Sequence, residues 1–385
     1  MQFNIQSDSS TNSSLLIIPI LGTNPEAVLK EKLAGFTVNP SLFSGKKDTS
    51  YQLEIDGRLI LLIGLGDKPD VASIEKSFRR VLSKNKDLVE TSATIDFSDD
   101  FSTELIESAL VGFQLGAYSI GFFKQKKEGQ KDFSNLEINV ISSSQGIEKT
   151  CDRAAKIAAA KIEGFKLVDL PPNVVTPEYL ANWAVEQGAE HGFTVTIFDE
   201  EKAKSEGLDA FLAVARGSAK APKFIIMEYR SPEAKSHVGL VGKGVTFDTG
   251  GLNIKTQGMV YMKSDMGGAA AVLAATQLIA ALKLPINLTA IVPAVENSVD
   301  KDAYLPSEVI GSHAGLSIEV IDTDAEGRLI LADGLSYLVK NYQVDQLIDL
   351  ATLTGSSVGT FGYECGALFS NSDAISNSLR EAGMQ

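Results

Sequence analysis

Apolar residues form short continuous runs in some stretches of the chain and take helical spacing in others. Ser14–Leu21 is a continuous apolar run containing Pro19; it is too short to span a bilayer and reads as a buried strand. Tyr51–Gly66 holds two apolar runs joined by Asp56-Gly57, a pair that favours a tight hairpin turn. Val71–Lys84 and Glu104–Phe123 have helical character, and Leu136–Ser142 predicts another strand. Lys149–Phe165, rich in alanine and lysine, predicts a helix. It must stop at Leu170-Pro171-Pro172-Asn173, because proline lacks an N–H and crowds the preceding turn. The basic run Lys124–Lys131 contains Gly129, has no apolar period and lacks interleaved aromatics, so it reads as a solvated loop.

Beyond the prolines the alternation is cleaner. Lys223–Tyr229, His237–Val241, Asn287–Val295, Leu316–Ile321 and Gln346–Leu350 predict strands. Gly267–Leu282 and Glu326–Asn341 predict helices, and a last helix covers Ala374–Ala382. Strands alternating with helices imply right-handed crossovers and a mainly parallel sheet. The expected fold class is therefore α/β, with a smaller N-terminal α/β domain at 1–148 and a linker helix at 149–166. A larger C-terminal α/β domain at 167–385 is built on a mainly parallel central sheet.

Composition narrows the class. A length of 385 residues suits two domains, and 44% hydrophobic with 22% charged residues is ordinary for a soluble globular protein. Cys151 and Cys365 are far apart and form no CxxC, which fits a reducing compartment. The start, MQFNIQSDSS, lacks the basic region of a signal peptide. A cytoplasmic protein with no membrane span is expected. The net charge of −14 repels phosphate backbones and argues against nucleic-acid binding.

In parallel sheets ligands bind beyond the carboxyl ends of the strands. Four segments there carry unusual residues: Val241–Gly251 with Ile254-Lys255, Lys263–Gly268, Asp322–Arg328 and Ala351–Gly355. One crevice shared by all four would hold Asp248, Asp265, Asp324 and Glu326. Four converging carboxylates repel one another, and divalent cations relieve that repulsion directly. Oxygen-rich ligation suits Mn²⁺, Mg²⁺ or Zn²⁺. His191, His237 and His313 have no metal-ligand spacing, which excludes a histidine zinc site of the HExxH kind. A lysine beside such cations gives up its proton more readily, and a second lysine can stabilise a developing oxyanion.

Each residue also has a plain structural reading. Asp324 can cap the helix that follows it, Glu326 can complement that helix's positive end, and Asp265 can cap the alanine-rich helix. Lys255 and Arg328 can be surface charges, and Trp183 and the alanine stripe can be packing. Gly242-Lys243-Gly244 resembles a phosphate loop, but Phe247 stands where a third glycine belongs and no GxxxxGK[ST] occurs. Concentration of these residues at predicted strand ends favours chemistry over the separate structural readings.

These motifs resemble a known family. Asp322–Leu329, DTDAEGRL, closely resembles the leucyl aminopeptidase (cytosol aminopeptidase) signature NTDAEGRL. GKGVTFDTGG, MKSDMGGAA and ATLTG resemble that family's other active-site blocks in the same order, and LVDLPPNVVTP resembles its interdomain segment. The resemblance is specific from mid-chain onward and looser before it. It implies a metal-dependent aminopeptidase that hydrolyses a leucine-like N-terminal residue from peptides through a metal-bridging hydroxide. The metal ligands would be Lys243, Asp248, Asp265, Asp324 and Glu326, holding two ions of Mn or Zn, with Asp248 and Glu326 bridging. Lys255 would polarise the scissile carbonyl, and Arg328 would anchor a bicarbonate serving as general base. Met262, Asp265, Thr352, Leu353 and Gly355 would line the substrate site. A homo-hexamer is implied by the resemblance alone.

Three departures stand out. Asp322 replaces the signature's asparagine, Asp169 replaces the asparagine usual in the interdomain segment, and family chains usually continue well past the equivalent of Gln385. The resemblance thus implies that this chain lacks the family's final elements, which help close the pocket and pack the hexamer. Two other readings compete: a non-catalytic binding or assembly protein on the same fold, and a phosphate-binding α/β enzyme using Gly242–Gly244.

Overall fold

The computed structural model describes every residue except 7–12, 23–24, 34–37, 40, 98–100, 126–130 and 385. The chain divides into two compact units, Met1–Ala159 with Leu368–Gln385, and Ala160–Ala367. No helix among the described residues is long and apolar enough to cross a membrane.

The first unit contains β1 (Gln2–Gln6), β2 (Leu15–Ile20), α1 (Glu26–Lys32), β3 (Thr49–Ile55), β4 (Arg58–Gly64), α2 (Val71–Lys84), β5 (Ser92–Asp96), α3 (Thr103–Leu115) and β6 (Glu137–Ile141). Its six-stranded sheet has the order β1-β6-β5-β2-β4-β3. Every pairing is parallel except the β3–β4 hairpin. That hairpin turns at Asp56-Gly57, both with positive φ, which matches the twist of the strands. All of β2 is buried, as an apolar strand covered on both faces requires.

Helix α3 ends at Leu115, short of the expected Phe123. The chain turns at Gly116, and the apolar residues beyond it, Ile120 and Phe123, are exposed. The pattern there continues in composition but not in conformation. Most of the basic run read at Lys124–Lys131 lies outside the described residues.

Helix α4 (Ile147–Asp169) carries the chain into the second unit and stops at the predicted prolines. There follow α5 (Pro177–His191), β7 (Thr194–Phe198), α6 (Glu200–Ser205), α7 (Asp209–Ala215), β8 (Lys223–Tyr229), β9 (His237–Gly242) and β10 (Gly244–Asp248). Next come α8 (Gly267–Ala281), β11 (Asn287–Asn297), β12 (Val309–Ile310), β13 (Ile318–Glu319), α9 (Glu326–Asn341), β14 (Gln346–Leu350) and α10 (Gly355–Phe361). A last helix, α11 (Asp373–Met384), falls with the first unit.

The main sheet of the second unit has the order β14-β9-β11-β8-β7, with β10 also paired to β11. Strands β14, β9, β11 and β10 are mutually parallel, while β8 and β7 add antiparallel pairs at one edge. Alternate residues of β8 face opposite cores, as a period of two demands. Phe224 and Ile226 join a cluster with α7 and α9, whereas Ile225, Met227 and Tyr229 join one with α5 and α8. Helices therefore cover both faces of the sheet. The strand read at Leu316–Ile321 shrinks to Ile318–Glu319, which pairs antiparallel with Val309–Ile310.

This topology positions chemistry. The four parallel strands send their carboxyl ends the same way, so Lys243, Asp248, Asn297 and Ala351-Thr352 emerge on one side of the sheet.

Candidate metal centre

Lys243 sits between β9 and β10, its backbone N–H bonded to Leu350 O at 2.9 Å and its carbonyl accepting from Ala269 N at 2.9 Å. These bonds tie the end of β9 to the end of β14 and the start of α8. Its ammonium is buried 2.8 Å from Asp265 Oδ2 and 2.9 Å from Glu326 Oε1, and it donates to Thr352 O at 3.1 Å. Asp265 reaches the cluster from the start of α8, and Thr352 Oγ1 donates to its Oδ1 at 2.9 Å.

Asp248 ends β10. Its Oδ1 accepts from Asn297 Nδ2 at 2.8 Å and Gly250 N at 2.9 Å, and its Oδ2 lies 2.8 Å from Lys255 Nζ. The same Lys255 ammonium lies 2.5 Å from Asp324 Oδ1. The loop that returns Lys255 to the cluster bends at Gly250, whose φ is +87°. A Cβ at Gly250 would lie 2.5 Å from Asn253 O and 2.9 Å from Asp324 Oδ1, so glycine is required there.

Asp324 lies in the short 3-10 turn Thr323–Ala325 that leads into α9, and Glu326 opens α9 itself. Asp248, Asp324 and Glu326 can each present one carboxylate oxygen within 4.8 Å of the others, the spacing of a shared cation. Each lysine ammonium thus bridges one pair of carboxylates, and four carboxylates share two positive charges.

The electrostatics follow from that shortage. Burial pushes Glu326 up to about 7 and Asp265 up to about 6, against the pull of Lys243. Burial also raises Asp324 above the ordinary carboxylate value, against Lys255. Burial by itself would lower both lysines, but the carboxylates outweigh it and hold Lys243 and Lys255 above the usual lysine range. Glu326 Oε2 is buried and has no hydrogen-bond partner among the described residues. An orphaned buried carboxylate oxygen is costly unless a cation uses it. The donor set fits divalent ions: they would take over the charge-balancing role of the ammoniums, after which Lys243 gives up its proton more easily.

Of the residues read from sequence, Lys243, Asp248, Lys255, Asp265, Asp324, Glu326 and Thr352 are linked by direct contacts. The others stand on adjoining segments without such a link. Arg328 is exposed on the first turn of α9 and makes no described side-chain bond. Met262 is half-buried in the turn Met259–Ser264, Leu353 is exposed, and Gly355 opens α10 with free space where a Cβ would lie.

Three participants escaped the sequence reading: Asn297, Thr323 and Tyr304. Asn297 Nδ2 also donates to Thr323 O at 3.0 Å, and Tyr304 Oη donates to the same carbonyl at 2.7 Å. Thr323 Oγ1 donates to Gly250 O at 2.7 Å, tying the Asp324 loop to the Asp248 loop. One signal was available for Asn297, a polar residue closing a long apolar strand on the chemically rich side of the sheet.

Known proteins resemble this chain in sequence and in fold. Residues 165–385 match the profile of the cytosol aminopeptidase family, catalytic domain. The "Probable cytosol aminopeptidase" of Geobacter sp. (strain M21) is 37% identical over 355 residues, covering 89% of this chain and 72% of that protein. Its namesake in Chlorobaculum tepidum is 39% identical over 344 residues, covering 84% and 68%. Among solved structures, a tomato leucine aminopeptidase point mutant superposes with a TM-score of 0.87 at 29% identity, covering 99% of this chain and 79% of that one. The bottromycin maturation enzyme BotP in complex with Mn superposes with a TM-score of 0.82 at 26% identity, covering 97% and 79%.

Proposed function

The chain belongs to the cytosol aminopeptidase family, and from that premise we propose that the lysine–carboxylate cluster of the second unit is its working centre. The protein is a metal-dependent aminopeptidase, a hydrolase acting on peptides. Nothing found supports the non-catalytic alternative. In this reading the catalytic domain is 167–385, preceded by an N-terminal domain at 1–148 and a linker helix at 149–166.

In this reading Lys243, Asp248, Asp265, Asp324 and Glu326 hold two divalent ions. The ions would supply the positive charge that four carboxylates now draw from Lys243 and Lys255 alone. The ions are Mn or Zn; the structural neighbour described with Mn supports the former. When bound, they supply Lewis-acid activation of a water and of the peptide carbonyl.

The chain's own residues do the rest. Without ions, Asp248 and Asp324 hold the Lys255 ammonium above the usual lysine range, and in this reading its place beside both carboxylates makes it a cation rather than a base. It stabilises the oxygen of the tetrahedral species as negative charge develops. Asp265 receives the substrate's free α-amine, which restricts cleavage to the N-terminal residue. Arg328, exposed one turn from Asp324, would hold a bicarbonate, which would supply a general base there. Met262, Thr352, Leu353 and Gly355 line the substrate site. Leu252, Ile254, Tyr261 and Leu353 are exposed apolar side chains on the same loops, which supports a leucine-like residue at the cleaved position. A cytoplasmic homo-hexamer completes the reading.

The observation that carries it is the buried excess of carboxylates, with Glu326 Oε2 unpaired. The test is hydrolysis of leucine p-nitroanilide by the 385-residue chain with Mn²⁺ added and then with EDTA. Activity should rise with metal and vanish with chelator. Metal-independent hydrolysis, or none with Mn²⁺ or Zn²⁺, would overturn the assignment of the centre.

A further inference from the structure

We propose that Asn297 is a positioning residue for the metal centre: its side-chain amide orients the Asp248 carboxylate and couples it to the loop carrying Asp324. The inference rests on the reading of these carboxylates as metal ligands and adds a residue that no motif marks.

Asn297 is the last residue of β11 and sits opposite Asp248 in the parallel pairing of β10 with β11. Its backbone carbonyl accepts from Thr249 N at 2.9 Å and from Thr249 Oγ1 at 3.1 Å, so its main chain is fixed to the residue after Asp248. Its side chain is fully buried, and Nδ2 divides its two hydrogens between Asp248 Oδ1 at 2.8 Å and Thr323 O at 3.0 Å. Both partners can only accept, so the amide has one possible orientation. Asp248 lies at one side of this fork, and the residue before Asp324 lies at the other.

The consequence is specific. With Asn297 and Gly250 both donating to Oδ1, the Asp248 carboxylate cannot swing, and Oδ2 is turned toward Lys255 and the other carboxylates. Without ions Lys255 is the cation that bridges Asp248 and Asp324, and the donor shared by Asp248 and Thr323 adds a second, uncharged tie between the same two loops. A packing role does not explain the residue. Asn297 Oδ1 is buried without a hydrogen-bond partner among the described residues, and an apolar side chain of similar size would avoid that cost. Partners that orient ligands from behind typically change metal affinity or activity by about 10–100-fold when removed.

Tyr304 supplies the control. Its hydroxyl also donates to Thr323 O, but it makes no described bond to Asp248. Tyr304→Phe therefore removes loop support and leaves the Asp248 contact intact.

The experiment measures Mn²⁺ binding by calorimetry, thermal midpoint in EDTA, and kcat and KM across Mn²⁺ concentrations. It compares the unmodified chain with Asn297→Ala, Asn297→Asp and Tyr304→Phe. Asn297→Ala should weaken Mn²⁺ binding by roughly 10–100-fold. Asn297→Asp, the same shape with an acceptor in place of the donor, should weaken it further. Tyr304→Phe should change it by less than about threefold, because the contact that orients Asp248 remains. At saturating Mn²⁺, Asn297→Ala should recover most of kcat with an unchanged KM. Equal affinity losses in Asn297→Ala and Tyr304→Phe would show that only the loop matters and would overturn the proposal. So would unchanged affinity in Asn297→Asp, a variant whose fold the EDTA midpoint reports independently. An unmodified chain that binds no Mn²⁺ would instead remove the metal reading itself.

Discussion

The two units are built alike, and their strand ends are not. Each has a mainly parallel sheet with helices alternating along the chain, yet their buried charges balance differently. In the first unit Asp96 ends β5 and pairs with Lys32, and the guanidinium of Arg58 also lies within its electrostatic reach. That carboxylate has at least one cation to itself. In the second unit four carboxylates share Lys243 and Lys255. The fold places strand ends on a rim in both units, but only an unbalanced rim has reason to take up divalent ions. Fold and function are separable here, and the charge count at the strand ends separates them.

The sharpest way to break this comparison is to balance the second rim. Glu326→Gln leaves Lys243 with Asp265 alone and removes the orphaned carboxylate oxygen. Activity should fall by more than about a hundredfold, beyond what loss of a supporting residue costs. The metal-free protein should meanwhile become more stable at pH 8, because a carboxylate raised to about 7 is ionised there at a cost. Activity assays and melting in EDTA check both halves. A variant that is inactive but no more stable would mean that the carboxylates are not in electrostatic conflict.

A pH series tests the same imbalance more gently. Glu326 and Asp265 hold their protons in the folded state to about 7 and about 6, above their ordinary values. Between pH 4 and 7 the folded chain therefore binds more protons than the unfolded chain, and stability contributed by these groups is lost as pH rises. The thermal midpoint in EDTA should fall across that window relative to Glu326→Gln. Mn²⁺ should cancel the fall, because cations bind the ionised form. Parallel curves for the two proteins would show that Glu326 is not shifted.

The first unit offers the opposite control. Asp96→Asn leaves Lys32 facing an amide in a site where the two side chains are 16% and 10% exposed. The expected loss is about 2 kcal/mol, below the roughly 3–5 kcal/mol typical of a fully buried pair. Mn²⁺ binding should be untouched. A change in metal affinity would mean that the two units are not independent in charge.

How much of this the chain discloses depends on the kind of signal. Val71–Lys84, Glu326–Asn341 and Gln346–Leu350 are legible to the residue, because the apolar spacing there is clear. Helix α5 went unread although Thr176 caps it, Pro177 opens it and Gly192 closes it in the left-handed conformation. Pro171-Pro172 marks a stop, and the separate start signal at Thr176-Pro177 lies so soon after it that both read as one loop. Strand β10 was hidden because its residues were read as a motif rather than as backbone. The ligand-type side chains were legible because acidic residues cluster at strand ends. Tyr304 was not, since a lone polar residue in a loop announces no partner, and Asn297 offered only its place at the end of an apolar strand until its pairing with Asp248 was known.

The smallest expected effect concerns the departure at Asp322. Its Oδ1 accepts the Asp324 N–H at 2.8 Å, the bond that shapes the turn into α9. An asparagine oxygen accepts the same bond, so Asp322→Asn keeps the turn and removes only one exposed charge. Mn²⁺ affinity should fall by less than about tenfold, and added salt should shrink the difference, because an exposed charge is screened. This isolates charge from shape at the rim: Glu326→Gln alters the buried balance, whereas Asp322→Asn alters only the field outside it. If the two variants lose comparable affinity in high salt, then Asp322 acts through the turn, and its carboxylate is a structural requirement of this chain rather than added field.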